Sequence, residues 1–191
     1  MRYLPIITAV AALFAPAAYA QMGNPAGLTP GTEIAPSGVP VPNETNDNDR
    51  LFAQLIAVGG MAEVELGQLS IGQGQSEAVQ DFARRMVDDH GAANQKLKAL
   101  ADAAGIPLPG ELDPDHKRMQ AELKDQSGRE YDLVYLRAQI IEHQKAAQLL
   151  QWEIDSGQYA ELQRFASETL PLVFNHLKMA QRIQAELTGT E

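Results

Sequence analysis

Three of the four histidines in this 191-residue chain lie at positions where a helix normally carries apolar residues. His90, His143 and His176 each have apolar residues three or four positions away on both sides, the spacing that places side chains on one face of an α-helix. Each belongs to a different predicted helix and lies well away from its ends. Because the apolar faces of packed helices meet along a shared axis, the pattern predicts three imidazoles that point into one bundle.

Glu63 is a fourth candidate, because it borders the inward-facing residues of another predicted helix. Counting from the predicted turns, at about 1.5 Å per residue, places all four side chains near one level of the bundle. Neutral imidazole and carboxylate are good ligands for zinc, iron, manganese and copper. The sequence therefore predicts one mononuclear transition-metal site, with Asp89 orienting its ligands from beside them. The predicted ligands are Glu63, His90, His143 and His176.

A second interpretation of the same residues needs no metal. Burying an imidazole without partners costs about 1–3 kcal/mol per unsatisfied polar group, and burying a charged carboxylate costs more. The four side chains could offset this cost by hydrogen-bonding one another, trapped water, or the nearby Asp89, Glu142 and Asn175. Such a polar layer would fix the helix register of a structural or interaction module. The sequence leaves both interpretations open.

A two-metal site is disfavoured by the residues that precede the histidines. Di-iron carboxylate bundles use Glu-x-x-His on two helices and one Glu on each of the other two. Here the residues three positions before the histidines are Val87, Ile140 and Val173, and none of them can bridge two metal ions. The fourth histidine, His116, shows no inward spacing, and we expect it on the surface.

The elements that would position these side chains are four long amphipathic helices. Apolar residues recur at spacings of three and four in the second part of the chain, and strand-like alternation is short. We predict helices over about residues 47–72, 77–104, 130–155 and 159–187, with a short helix between the second and the third. Leu55 and Leu66 belong to the first apolar stripe, and the Gly59-Gly60 pair in the same helix indicates close approach of another helix.

The connections between these helices predict an all-α, ferritin-like four-helix bundle. The first and last connections are short, so the helices that they join are antiparallel neighbours. The middle connection takes about 25 residues and contains its own helix, which is enough chain to run back along the bundle. A plain up-down bundle with a decorated middle loop is the alternative. Pro171, inside the last predicted helix, should kink that helix or break it locally.

The first 46 residues are typical of an export signal followed by a tether. Arg2, the apolar stretch at 4–14 and the Ala18-Tyr19-Ala20 sequence predict a secretory signal peptide over residues 1–20, cleaved after Ala20. Residues 21–46 are rich in proline and glycine and show no apolar period, which predicts a flexible linker before a bundle domain at 47–188. The mature protein is therefore expected in the periplasm or outside the cell.

The composition excludes several classes of function. The chain has 15 Lys plus Arg against 25 Asp plus Glu, a net charge of −10, and an acidic surface repels nucleic-acid backbones. Because it has no cysteine, it can form no disulfide, thiolate zinc site or iron–sulfur cluster. No apolar run is long enough to span a membrane. No motif identifies a protein partner or an oligomeric state.

As a set, several segments resemble those of an exported bacterial family with a ferritin-like bundle, domain of unknown function 4142. The segments are Asp49-Arg50-Leu51-Phe52, Ala62-Glu63-Val64-Glu65-Leu66-Gly67, Phe82-Ala83-Arg84-Arg85-Met86-Val87-Asp88-Asp89-His90 with Ala93-Asn94, Ser127-Gly128, Tyr131-Asp132 with Tyr135, Gln139 with His143, and Leu170-Pro171 followed by His176-Leu177. The resemblance implies a ferritin-like fold. It also implies that the four predicted ligands lie on the family's motif positions, with Gln139 as a further supporting residue beside His143.

Three functions remain open from the sequence. The first is an exported metal-binding bundle, for example one that protects under stress. The second is the structural or interaction module with a histidine polar layer. The third is an enzyme built on a mononuclear metal, such as an oxidase, although no residue pattern names a substrate.

Overall fold

The computed structural model describes residues 44–189 of the chain. This part forms the helices α1 (Asp47–Gln73), α2 (Glu77–Ala104), α3 (Pro114–Lys124), α4 (Gly128–Ser156) and α5 (Ala160–Thr188), and it contains no strand. The predicted all-α fold is confirmed, and the long helices begin and end close to their predicted bounds. The predicted signal peptide (1–20) and most of the predicted linker (21–46) lie outside the described residues.

Helix ends follow the local sequence. Asn46 and Asp49 form a reciprocal capping box at the start of α1, in which the Asp49 N–H donates to Asn46 Oδ1 at 2.9 Å. Asp113 caps α3 by accepting from the backbone N–H of His116 at 2.8 Å. Gly105 ends α2 with a φ of 66°, a left-handed conformation that favours glycine.

The long connection between α2 and α4 makes the bundle ferritin-like. The side chain of Asn46, before α1, donates to the carbonyl of Ser156 at the end of α4 (3.0 Å), whereas Ser70 near the end of α1 contacts the Tyr131 hydroxyl at the start of α4 (3.1 Å). Helices α1 and α4 are therefore antiparallel neighbours. Since α2 ends at the level where α1 begins, the connection must return along the bundle before α4 starts. This crossover excludes the plain up-down alternative.

Two buried aspartates hold together the two helix hairpins, α1–α2 and α4–α5, one at each end of the bundle. Asp132 of α4 accepts hydrogen bonds from the backbone N–H groups of Gln75 (2.9 Å) and Ser76 (2.8 Å) in the α1–α2 turn. Asp49 of α1 accepts from the backbone N–H groups of Gln158 and Tyr159 in the α4–α5 turn, both at 3.0 Å. Each hairpin thus satisfies the orphan N–H groups of the other, which fixes the register of α1 against α4.

The core consists of two apolar clusters, one toward each end of the bundle. Phe52, Leu97 and Phe165 belong to the first, and Phe82, Tyr135 and Ile183 belong to the second. The three histidines lie between the clusters along their helices, so a polar layer separates two apolar ones. Among the described helices, none has a segment both long and apolar enough to cross a bilayer.

Several expectations about individual residues are changed by the packing. Leu55, predicted to face inward, is 44% exposed, because the buried face of α1 runs instead through its neighbours Phe52, Ala53 and Ala57. Helix α4 buries polar side chains that the apolar stripe did not identify; these include Asp132, Gln139, Glu142 and Glu153. Helix α5 continues through Pro171 without a break, since the proline is on its exposed side and water can reach the carbonyl that the ring leaves unpaired.

Glu153 is a fully buried carboxyl beside the aspartate that holds the α4–α5 turn. Its carboxyl is adjacent to that of Asp49, and a Cβ atom at Gly157 would lie only 2.3 Å from its Oε1. Burial, together with the adjacent carboxyl of Asp49, raises the pKa of Glu153 to about 9. In the folded protein the Glu153 carboxyl therefore keeps its proton at neutral pH.

Replacing Asp132 tests how the two hairpins are held together. Asp132→Ala should lower the free energy of unfolding by about 1–3 kcal/mol, because two backbone N–H groups lose their acceptor. The exposed Asp155→Ala serves as the control and should change it by less than about 0.5 kcal/mol. Equilibrium urea denaturation measures both. Equal stabilities of the two variants would show that the aspartate does not support the turn.

Glu153 predicts how the stability of the protein depends on pH. The folded protein keeps this proton up to about pH 9, whereas the unfolded chain releases it near pH 4.5, so stability should fall as pH rises between these values. Glu153→Gln removes this titration and should be more stable than the wild type at mildly alkaline pH, by on the order of a few kcal/mol. Urea denaturation at about pH 5 and about pH 8 measures the difference, with the exposed Glu122→Gln as control. A difference independent of pH would contradict the prediction.

Candidate metal centre

The bundle brings His90 of α2, His143 of α4 and His176 of α5 together at its centre. Their ring centroids are 5.3 Å (His90 to His143), 5.4 Å (His90 to His176) and 5.4 Å (His143 to His176) apart. His90 is 7% exposed, His143 0% and His176 1%. Each ring offers one nitrogen atom, and these three atoms lie within 4.8 Å of one another. We call these three residues the histidine triad.

One nitrogen of each ring is hydrogen-bonded to an oxygen outside the triad. The three pairs are His90 Nδ1 with Glu63 Oε2 at 2.7 Å, His143 Nδ1 with the backbone oxygen of Gln139 at 2.8 Å, and His176 Nε2 with Asp89 Oδ2 at 2.9 Å. Because these oxygens are acceptors, each paired nitrogen is the N–H donor. The hydrogen bonds therefore fix the tautomer and orient all three rings.

The other nitrogen of each ring has no hydrogen-bond partner. These atoms are His90 Nε2, His143 Nε2 and His176 Nδ1, and all three are buried. In a neutral imidazole the nitrogen opposite the N–H carries a lone pair. The triad thus combines three buried lone pairs with three oriented rings, which is the arrangement that metal-binding histidines have in proteins.

Glu63 lies behind the triad, in contact with two of its rings. Its Oε2 accepts from His90, and its Oε1 is 3.1 Å from His143 Nδ1. The N–H of that His143 nitrogen is directed at the carbonyl of Gln139, so Glu63 Oε1 has no hydrogen-bond partner. Glu63 is therefore close to the triad, but it contacts His90 Nδ1 and His143 Nδ1. In both rings the nitrogen without a hydrogen-bond partner is the other one, Nε2.

The electrostatics of the layer shift the pKa values of its carboxylate and its rings in different directions. Burial tends to raise the pKa of Glu63, but the adjacent His90 and His143 outweigh it and hold the pKa below its ordinary value. Burial likewise opposes protonation of His90, yet contact with the Glu63 carboxylate raises the His90 pKa. Burial lowers the pKa of His143, and it lowers that of His176 to about 4. Neutral imidazole is the form that binds metal.

The two predicted supporting residues contact the triad in different ways. Asp89, one residue before His90, reaches across to α5 and accepts from His176; its carboxylate is also 3.6 Å from Arg85 Nε. Gln139 contributes its main-chain carbonyl, one turn before His143. The Gln139 side chain is fully buried, and neither its Oε1 nor its Nε2 has a hydrogen-bond partner.

His116 is partly buried rather than on the surface, and this corrects the sequence-based expectation. Its side chain is 12% exposed, with Nδ1 2.8 Å from Asp113 Oδ1 and Nε2 3.2 Å from Glu142 Oε2. The hydrogen bond to Glu142 is the main cause of a raised His116 pKa. The contact attaches α3 to α4. No helical periodicity could have found it, because His116 meets Glu142 only after the crossover folds back along the bundle.

Solved structures of other proteins are similar in fold at low sequence identity. A DUF305 fragment from Deinococcus radiodurans has a TM-score of 0.66 and 16% identity, covering 75% of this chain and 99% of that one. CopM in its Cu(II)-bound form has a TM-score of 0.62 and 13% identity, covering 72% of this chain and 96% of CopM. CopM in its silver-bound form has a TM-score of 0.60 and 14% identity, with the same coverage. At these identities the likeness shows the fold alone.

The family assignment comes from the sequence itself. No curated protein matches the chain significantly. The family described as domain of unknown function 4142 (DUF4142) matches residues 35–183, a range that includes the histidine triad, Glu63 and the crossover. The resemblance identified from the sequence segments is thereby confirmed, and the chain belongs to the DUF4142 family.

Proposed function

We propose that the histidine triad binds one transition-metal ion through His90 Nε2, His143 Nε2 and His176 Nδ1. One observation carries the proposal: three buried ring nitrogens from three helices have no hydrogen-bond partner, while the opposite nitrogen of each ring is held by an oxygen. An ion at their centre would satisfy all three lone pairs at once. The oxygens behind the rings would keep the ligands oriented.

A purely structural polar layer is less favourable, because the triad does not satisfy itself. The rings are near one another, yet the three inward nitrogens form no hydrogen bonds. Each buried unsatisfied polar atom costs about 1–3 kcal/mol. A layer that served only to fix helix register would carry this cost three times.

The dimensions of the triad are compatible with an ion after a small closure. Metal–imidazole bonds of about 2.0–2.1 Å require ligand nitrogens about 3.3–3.5 Å apart. One nitrogen from each ring lies within 4.8 Å of the other two, so a set at this spacing would close by at most about 1.5 Å per pair, which small ring rotations would supply. Three ligands leave a fourth position for water or another small ligand.

We assign Glu63 a supporting role rather than the role of fourth ligand. Its carboxylate accepts from His90 at 2.7 Å on the nitrogen that faces away from the proposed ion. A divalent ion with three neutral ligands brings positive charge into an apolar interior, where charge is costly. The carboxylates of Glu63 and Asp89, hydrogen-bonded to the rings of His90 and His176, would offset that charge.

Among zinc, iron, manganese and copper, we propose copper as the ion. A ligand set of imidazoles suits copper and zinc better than manganese, which prefers oxygen ligands, and Cu²⁺ binds such ligands more tightly than Zn²⁺. The copper- and silver-bound forms of CopM, a protein of similar fold, support this choice. The predicted signal peptide would place this metal-binding role in the periplasm or outside the cell. Protection under metal stress is one function that such a site could serve.

Removing a triad histidine should abolish metal binding. Purified protein without an affinity tag should bind a single equivalent of Cu²⁺. The variants His90→Ala, His143→Ala and His176→Ala should each lose most of this binding, because two remaining imidazole ligands are too few to hold the ion. His116→Ala is the matched control and should bind normally, since both His116 nitrogens already face carboxylates. Elemental analysis and calorimetric titration measure the stoichiometry. Wild-type protein that neither binds copper nor gains thermal stability on its addition would refute the proposal.

The carboxylate behind His176 should tune the affinity. Asp89→Ala leaves the ring without its acceptor and should weaken Cu²⁺ binding by about 10–100-fold, with unchanged stoichiometry. The neighbouring Asp88→Ala changes the same charge on the exposed side of α2 and should have little effect. Competition titration with a chelator measures both affinities. Equal weakening by the two variants would indicate a general charge effect and not an oriented ligand.

A further inference from the structure

A cavity of about 220 Å³ reaches the histidine triad from the side on which α3 lies. His90, the most exposed of the three triad residues, lines its inner end together with Glu63. The exposed Asp115 and Lys145 lie at its outer end. Three other cavities in the described part of the chain are lined by none of the triad histidines. The cavity is therefore an approach from the surface to one of the three proposed ligands.

The charged groups along this cavity suit a cation. Its four carboxylates range from exposed to buried, with side-chain exposures of 78% for Asp115, 44% for Asp113, 4% for Glu142 and 3% for Glu63. The lining groups that can carry positive charge are fewer, namely His90, His116 and Lys145. A concave surface with an excess of negative charge raises the local concentration of cations.

Gly59 leaves room for an ion in this cavity. It lies one turn before Glu63 on α1 and lines the cavity, and a Cβ atom there would meet no atom within 4 Å. Glycine destabilises a helix relative to alanine, and here neither a steric contact nor a positive φ requires it. Since a water molecule takes up about 30 Å³ in the liquid, about 220 Å³ can hold an ion that keeps several waters.

The flank of the triad at Asp89 is less suited to the entry of a cation. Asp89 contacts His176 there, and the side chains of Asp89 and Arg85 are 32% and 56% exposed, so this flank also meets solvent. Arg85 Nε lies 3.6 Å from Asp89 Oδ2. Because the guanidinium group keeps its charge at every physiological pH, it would repel a metal ion that approaches Asp89.

We propose that the cavity beside α3 is the path along which the copper ion moves between the surface and the histidine triad. The carboxylates of Asp115, Asp113 and Glu142 draw the ion in, and His90 is the first ligand that it meets. His90 Nε2 is buried, so the His90 ring rotates as the ion passes. The inference rests on the proposed copper site and adds how that site is filled and emptied.

Obstructing the cavity from Gly59 tests the path. An obstruction raises the barrier in both directions, so Gly59→Leu should slow association and release of Cu²⁺ alike, each at least about tenfold, with an unchanged dissociation constant. Gly72→Leu is the matched control: Gly72 lies on the same helix, a Cβ atom there would meet nothing within 4 Å, and it does not line the cavity. Stopped-flow quenching of Trp152, the one tryptophan of the chain, measures association, and transfer of the ion to excess chelator measures release.

The outcomes separate the path from the copper site. If the wild type binds copper and Gly59→Leu loads and releases it at wild-type rates, the path is refuted and the site stands. A wild type that binds no copper refutes both. Faster release from Gly59→Leu at an unchanged association rate would show a disturbed site and not an obstructed path, and it would equally contradict the proposal.

A charge change at the outer end keeps the test decisive if Gly59→Leu does not fold. Asp115→Asn should slow association of Cu²⁺ about two- to fourfold at low ionic strength, and the difference should vanish at high salt. Asp155→Asn removes the same charge from an exposed residue that does not line the cavity, and it should have a smaller effect. Equal slowing by the two variants would overturn guidance by the cavity carboxylates. Faster loading of Arg85→Gln, with unchanged loading of Asp115→Asn, would place entry beside Asp89 instead.

Discussion

Burying three imidazoles in the middle of an apolar bundle is the constraint on which the rest of this structure depends. Each ring brings two polar nitrogens into the buried interior, and one nitrogen of each ring finds an oxygen acceptor. The acceptors are a carboxylate on α1, a carboxylate on α2 and a main-chain carbonyl on α4. Two of these hydrogen bonds join different helices, α1 to α2 and α2 to α5, and His143 Nδ1 of α4 lies 3.1 Å from Glu63 Oε1 of α1, so the polar layer favours a single register of the four helices.

That register is maintained from the ends of the bundle. Asp49 at the start of α1 holds the α4–α5 turn, and Asp132 at the start of α4 holds the α1–α2 turn. The two aspartates therefore act on opposite ends of the same antiparallel pair. Since Glu63 lies on α1 and His143 on α4, fixing this pair also sets the height at which the carboxylate meets the rings.

The crossover makes one side of the polar layer different from the others, because α3 lies there. Helix α3 packs against α1 and α4, and His116 attaches it through Glu142, the residue next to His143. A cavity lined by Asp113, His116 and Glu142 lies on this side and reaches Glu63 and His90. A bundle with short connections would have no such cover over the groove between α1 and α4. The long connection thus shapes the surroundings of the polar layer as well as the topology.

The sequence by itself determined the helices, their order and the inward direction of His90, His143 and His176, because helical periodicity acts over three or four residues and is visible in one segment at a time. It also placed Glu63 and Asp89 near the rings. Only the tertiary structure decided which nitrogen of each ring is paired, that Gln139 acts through its main chain, and that His116 is drawn in against Glu142. It likewise decided that Leu55 is exposed and that Asp49, Asp132 and Glu153 are buried. Apart from the Gln139 carbonyl, which is one turn from His143, those outcomes depend on partners up to about a hundred residues away, and no local pattern encodes where a returning chain will bring them.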